Sequence, residues 1–225
     1  MVSDPITFRA CPVRRITKQP SFIFQSDPST AQLGIADVIK CIWLPRRDEA
    51  RIILDKYISD VDHFHHVTHI PTLRKLLETT YDTVENNATP DIGAVILILS
   101  VCATCTYSWS LEDDARRLYA DVGEARAQAT SWIKATLDVI DYAHRTVSSS
   151  MECIQGMIIL FFVFCNLEGL SHRSRSLISK SIAMSREMGL HRIDSQVSLP
   201  EIANMCTLRA EIGRRIWWCL VGTDW

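Results

Sequence analysis

The sequence is poor in the residues that build catalytic loops. Its 8 glycines among 225 residues all stand singly, and none belongs to a nucleophile elbow, a phosphate loop or a dinucleotide fingerprint. Hydrolase, kinase and dehydrogenase chemistry lose their usual carriers on that ground. Neither sign of charge dominates: 24 Lys and Arg face 26 Asp and Glu, a formal net charge of -2. No overall positive field draws the chain onto phosphates. The first ten residues contain Asp4, Pro5 and Arg9 and lack the apolar run of a secretory signal.

What is present is a core-forming composition. With 47% hydrophobic and 22% charged residues, the chain reads as globular, one domain plus an arm. The 8 cysteines are scattered, most of them among Ile, Leu, Phe or Trp, the usage of reduced core thiols in an intracellular protein. Residues 92–111 form an uncharged stretch long enough to cross a bilayer. Five Ser and Thr within it and the lack of a flanking Lys/Arg cluster favour a buried core helix. Residues 157–165 are apolar but too short to span, and are expected in the core for the same reason.

Residues 1–44 mix Pro5, Pro12, Pro20 and Pro28 with polar residues and no helical period, and are expected to be a flexible arm or linker. From Pro45 the period changes. Ala50, Ile53, Leu54, Tyr57 and Val61 recur at helical spacing behind Asp48 and Glu49. After Pro71, Leu73, Leu76, Leu77, Tyr81 and Val84 repeat it. A stripe of Leu118, Val122, Ala125, Ala129 and Trp132 follows the apolar segment. Ser148, Ser149 and Ser150 offer caps to a central helix over 151–167, and Gly189 followed by Leu190 closes another that begins near Ser174. Ser198, Leu199, Pro200 and Glu201 form a capping box before a last helix holding Ile202, Cys206, Ile212, Ile216 and Cys219. No hairpin signal interrupts the series. The expectation is an all-α bundle of roughly seven helices, with 45–225 as its domain. The final helix reaches Trp225 without a stop signal, so the bundle is expected to be incomplete there.

Few constellations suggest chemistry. His65, His66 and His69 have i+3 and i+4 spacings that suit zinc, with His63 and Asp62 nearby. Pro71 places His69 at a helix entrance, however, and no general base accompanies the group. A polar helix end is the competing reading, with His69 bonding backbone groups at the turn. Cys102 and Cys105 have C-x-x-C spacing but no second pair or adjacent cation, which favours packed thiols. Arg9, Arg14, Arg15 and Lys18 form a short basic tract of the kind that is usually solvated and sometimes touches phosphate. Asp113 and Asp114 read as a solvated helix face.

Three ordered blocks are more specific: Leu54-Asp55-Lys56-Tyr57 through His69-Ile70-Pro71-Thr72; Cys153-Ile154-Gln155-Gly156 through Gly189-Leu190-His191-Arg192; and residues 211–224, with Arg214-Arg215-Ile216-Trp217-Trp218 before Asp224. Over residues 45–225 the chain resembles the fungal-specific transcription factor domain, the middle homology region of fungal binuclear zinc cluster (Zn2Cys6-type) transcription factors. The matching signature residues are His69, Pro71, Gln155, Gly189, Leu190, His191, Arg214, Arg215, Trp217, Trp218 and Asp224. They read as structural, with Trp217 and Trp218 supplying core area and Arg214 and Arg215 pairing with Glu211 or Asp224.

The resemblance implies a regulatory domain in the nucleus, without an active site or a cofactor of its own. Zinc and DNA would be held by a six-cysteine module that these residues do not contain, since only Cys11 and Cys41 precede the helices. It also implies a small-molecule effector or a regulatory protein as partner, allows a homodimer, and involves no membrane. An effector cavity is expected beside the central helix, lined by Cys153, Met157 and Cys165. A partner-binding scaffold and a helical enzyme remain the other readings.

Overall fold

A computed structural model describes residues 6–25, 37–146, 149–195 and 207–224. The chain enters through strand β1 (Ile6–Ala10), the short helix α1 (Val13–Ile16), β2 (Phe22–Gln25) and β3 (Asp37–Leu44). Helices α2 (Arg47–Asp60), α3 (Asp62–His65), α4 (Ile70–Glu85) and α5 (Ile92–Tyr107) follow. A 3-10 turn at Leu111–Arg116 leads to α6 (Val122–Thr146), α7 (Met151–Glu168) and α8 (His172–Glu187). A second 3-10 turn at Leu190–Arg192 precedes α9 (Thr207–Asp224). Seven of these helices have 14 or more residues, and the fold is predominantly all-α, as the periodicities imply. The capping box at Ser198–Glu201, together with Ile202 and Cys206, lies outside the described residues.

At the centre, α5 packs against α6 and α7. Every residue of α5 from Ile92 to Thr106 is buried, and Asp91 caps the helix by accepting from the Ala94 N–H at 2.7 Å. Ser150 caps α7 in the same way, accepting from the Cys153 N–H at 3.1 Å. The two helices approach closely because Gly156 has no side chain: a Cβ there would stand 2.8 Å from Ile96 Cγ2 and 3.1 Å from the Ile96 backbone. Among the described residues α7 is the one helix long and apolar enough to cross a membrane, extending well beyond the apolar run at 157–165, and 67% of it is buried inside the fold. Gly189 adopts φ 72° and turns Leu190 inward to 1% exposure, ending α8 as the sequence implies.

Residues 6–25 and 37–44 correct the expectation of a flexible arm. They hold a three-stranded sheet of order β1-β3-β2, with β1 parallel and β2 antiparallel to β3. Ile6 pairs with Lys40 and Ala10 with Leu44. Phe8, Val13, Ile16, Ile42 and Leu44 join the same hydrophobic core as the helices. Glu49 fastens α1 to the start of α2: one carboxylate oxygen accepts from the N–H groups of Val13 and Arg46, both at 3.0 Å. Lys40 pairs with Asp138 of α6 at 2.8 Å, and the Arg14 guanidinium donates to the Leu118 carbonyl at 3.1 Å. The strands escape a local reading because parallel partners come from distant sequence and leave no hairpin signature.

Candidate functional site

The three sequence blocks meet around the first turns of α7. Gln155, 6% exposed, donates from its amide nitrogen to the Val67 carbonyl at 2.5 Å, which locks α7 to the turn entering α4. Pro71 occupies the first turn of α4, where it forfeits no helical hydrogen bond. His191 packs against Trp217, ring centroids 5.7 Å apart, tying the Gly189–Arg192 corner to α9. Gly213 permits that contact, since a Cβ there would come within 2.6 Å of Ile193 and 3.3 Å of Leu190. Arg214 reaches Asp194 at 2.8 Å and Glu211 at 3.4 Å, and Arg215 reaches Glu211 at 3.0 Å. The pairing with Glu211 matches the sequence reading; Asp194 is the further partner. Trp217 is half-buried, whereas Trp218 is 68% exposed and supplies no core area.

A cavity of about 220 Å³ lies where these blocks converge. The turn before α4 gives it Thr68 and His69, α4 gives Thr72, Leu73 and Leu76, and α5 gives Leu97. Met151, Glu152 and Gln155 of α7 and Leu208, Arg209 and Ile212 of α9 complete the wall. Arg209 pairs with Glu152 at 3.3 Å. The expected lining differs. Met157 is fully buried in the core and Cys165 is half-buried, and neither lines this cavity. Cys153 faces a second, larger groove of about 710 Å³ between the starts of α5 and α7 and the ends of α6 and α8. Several polar groups of that groove are already engaged: Ser149 with Glu187, Ser150 with the Cys153 N–H, and Asp91 with the Ala94 N–H. The smaller cavity, unlike this groove, is built from all three blocks. Leu208 and Arg209 escape a sequence reading because only the return of α9 against α7 brings them beside α4.

The histidines do not converge. Among the described residues no three His, Cys, Asp or Glu are placed to hold a metal ion. His65 is buried, stacked on Tyr57 and tilted against Phe162 at 5.0 Å, and its Nδ1 lacks a hydrogen-bond partner. Burial pushes it down to about 4, with Asp62 opposing. His66 ends α3 at φ 51°, and His69 bonds the Thr72 hydroxyl at 2.8 Å rather than backbone groups. Cys102 and Cys105 are buried in α5, and burial raises both thiols. Arg9, Arg14, Arg15 and Lys18 are exposed, and Arg14 lies 3.7 Å from Glu124.

Asp113 is not on a solvated face. It is 4% exposed and receives Lys56 at 2.7 Å and Arg116 at 3.1 Å, while Lys56 also meets Asp60 at 2.8 Å. Burial alone would raise the Asp113 carboxyl; the bonds from Lys56 and Ser110 outweigh it, and the carboxyl titrates below its ordinary value. Burial likewise pulls on Lys56, and its two carboxylate partners outweigh it, so the ammonium is held above its ordinary value. This node fixes the turn after α5 to α2. It is a fully paired structural contact and gathers no catalytic constellation.

The Fungal specific transcription factor domain family matches residues 54–224. Over 100% of its length the chain is 30% identical to the probable transcription factor lepB of Aspergillus flavus, and covers 40% of that protein. It is 28% identical to the transcription factor TAS2 of Pyricularia oryzae, over 82% of this chain and 24% of that protein. It is also 29% identical to the Agnestins biosynthesis cluster transcription factor AgnL11 of Paecilomyces divaricatus, over 81% of this chain and 26% of that one. The chain thus spans well under half the length of each of these relatives. No solved structure matches. With its three blocks assembled around α7 and a family match over 54–224, the chain belongs to the fungal-specific transcription factor domain family, whose members regulate transcription and are not enzymes.

Proposed function

We propose that this chain is the effector-responsive regulatory part of a nuclear transcription factor that tunes RNA polymerase II transcription of a metabolic or secondary-metabolite gene set. The observation that carries the reading is the cavity at the first turns of α7, built where the family's blocks meet. The name of the relative AgnL11, a biosynthesis cluster transcription factor, supports the choice of gene set. Contact with DNA and the binding of zinc are assigned to a zinc-cluster module outside these residues, and the composition agrees: a net charge of -2 offers phosphate no general attraction. The helices around α7 have two arrangements, and an effector that binds one better shifts the balance toward it.

The test is a reporter strain in which the 225-residue chain is fused to an unrelated DNA-binding domain. Reporter output should differ from that of the DNA-binding domain alone and should change with carbon or nitrogen source. Identical output under every condition would remove the regulatory reading. A partner-binding scaffold is the second reading, favoured by Trp218 at 68% exposure. It predicts that Trp218→Ala abolishes the reporter effect while leaving stability unchanged.

A further inference from the structure

We infer that the cavity between α4, α7 and α9 takes a small, uncharged, largely apolar molecule with one hydrogen-bonding group, and that this ligand acts by joining α9 to α4. The inference rests on the regulatory reading above and adds to it the class of effector and the moving element.

Size is the first argument. At about 220 Å³ the cavity falls below the roughly 300–1,000 Å³ of sites for drug-sized ligands, which suits a single ring or short chain. Charge is the second. Arg209 and Glu152 face each other at 3.3 Å, so the two formal charges on the wall offset one another and leave no surplus to attract an ion. The remaining wall is chiefly apolar, with Leu73, Leu76, Leu97, Met151 and Ile212 as its body. His69 is engaged by Thr72 and Gln155 is anchored to Val67. Both side chains are thereby fixed in position on the cavity wall, and a few fixed polar groups on an apolar wall are the arrangement that orients an apolar ligand with one polar end.

The effect on α9 follows from what holds that helix. It rests on α8, on the Leu190–Arg192 turn and on the start of α7, through the close approach at Gly213, the His191–Trp217 contact and the Arg209–Glu152 pair. Toward α4 it presents the cavity instead of a packed face. Leu208 lines that cavity and is 42% exposed. A ligand seated there buries Leu208 together with Leu73 and Leu76, and so favours the arrangement in which α9 is drawn against α4.

Isothermal titration of the full 225-residue chain tests this with 4-propylphenol as the neutral probe and 4-propylbenzoate and 4-propylbenzylamine as charged probes of like shape. The phenol should bind one to one, and both charged probes at least about tenfold more weakly. Leu208→Trp places bulk in the cavity from an exposed position and should weaken phenol binding by about tenfold or more, whereas Leu208→Ala should retain it. The urea midpoints of both variants check that the fold is intact. Equal or tighter binding of either charged probe overturns the charge assignment. Binding that survives Leu208→Trp, or no binding of any probe, overturns the site. Because the reporter comparison uses no added probe, a chain that alters reporter output yet binds none of the three keeps the regulatory reading and loses this one.

Discussion

The amino-terminal sheet and the helical bundle share one core but are written differently in the sequence. In the bundle each helix carries its own evidence: a stripe of apolar residues, a capping side chain, a closing glycine. Ser150, Asp91 and Ser171 cap the helices they precede, and Gly189 ends α8. In the sheet no strand exceeds 8 residues, and β1 finds its partner at β3, with Ile6 opposite Lys40. Local periodicity reports on the first region and is nearly silent on the second. Burial does not separate them: Val13 and Leu44 are as inaccessible as Ile53 and Leu99. Faint sequence signal therefore does not mean a peripheral place in the fold.

The largest effect should come from treating the sheet as the arm it resembles. Deleting residues 1–44 strips Phe8, Val13, Ile16, Ile42 and Leu44 from the core, and the expected outcome is loss of cooperative unfolding and of the near-ultraviolet circular dichroism signal. The milder Phe8→Ala should cost about 3 kcal/mol, read as a lower urea midpoint of one single transition. An unchanged midpoint in both would return these residues to the status of an arm.

Within the bundle, Gly156→Leu should cost a similar amount, about 3 kcal/mol. The nearest obstacle to a Cβ includes the Ile96 backbone as well as its side chain, so α5 and α7 must separate. Chemical denaturation reads this directly, and a neutral outcome would show that the central helix pair is not rigidly seated. Lys56→Ala leaves Asp113 buried with Arg116 as its remaining cation, and a loss of about 3 kcal/mol is expected. Lys56→Met should lose less, because its chain refills the space beside Trp109.

Acid should loosen the bundle more gently. His65 titrates at about 4 in the fold against 6.5 when unperturbed, so between those values the unfolded chain binds the additional proton. Stability should fall as the pH drops from about 6.5 to about 4, by up to about 3 kcal/mol, with no further contribution from this group below. His65→Phe should flatten that part of the profile and leave the part due to Asp113, whose lowered carboxyl loses its stabilising charge at still lower pH. The smallest effect is Trp218→Ala. At 68% exposure its loss should change the unfolding free energy, measured by urea denaturation, by less than about 0.5 kcal/mol, and a larger loss would mean that α9 packs more tightly than its exposure indicates.

Much of the site was legible, though in pieces. His69, Pro71, Gln155, Gly189, Leu190 and His191 could be picked out as matches to a family pattern, and their roles as hydrogen bonds, caps and contacts are plain in the fold. That two of them, His69 and Gln155, line a cavity was not legible, because its walls come from four helices and the turn before α4. The lining assigned from the sequence failed for the same reason: Met157 and Cys165 are on α7, but helical rotation turns Met157 into the core while Met151, Glu152 and Gln155 meet α4 and α9. Asp113 was misread because its neighbours in sequence are polar, while its partner Lys56 arrives from α2.

What the sequence determined by itself was everything written at short range. The helical periods, the caps and the family blocks place seven long helices and exclude the usual enzyme motifs, because the forces involved act within one or two turns. Tertiary structure alone decided which strand lies beside which, which charges are buried and where space is left. Those outcomes depend on contacts between residues far apart in the chain, whose pairing is fixed only when all the apolar faces are buried at once.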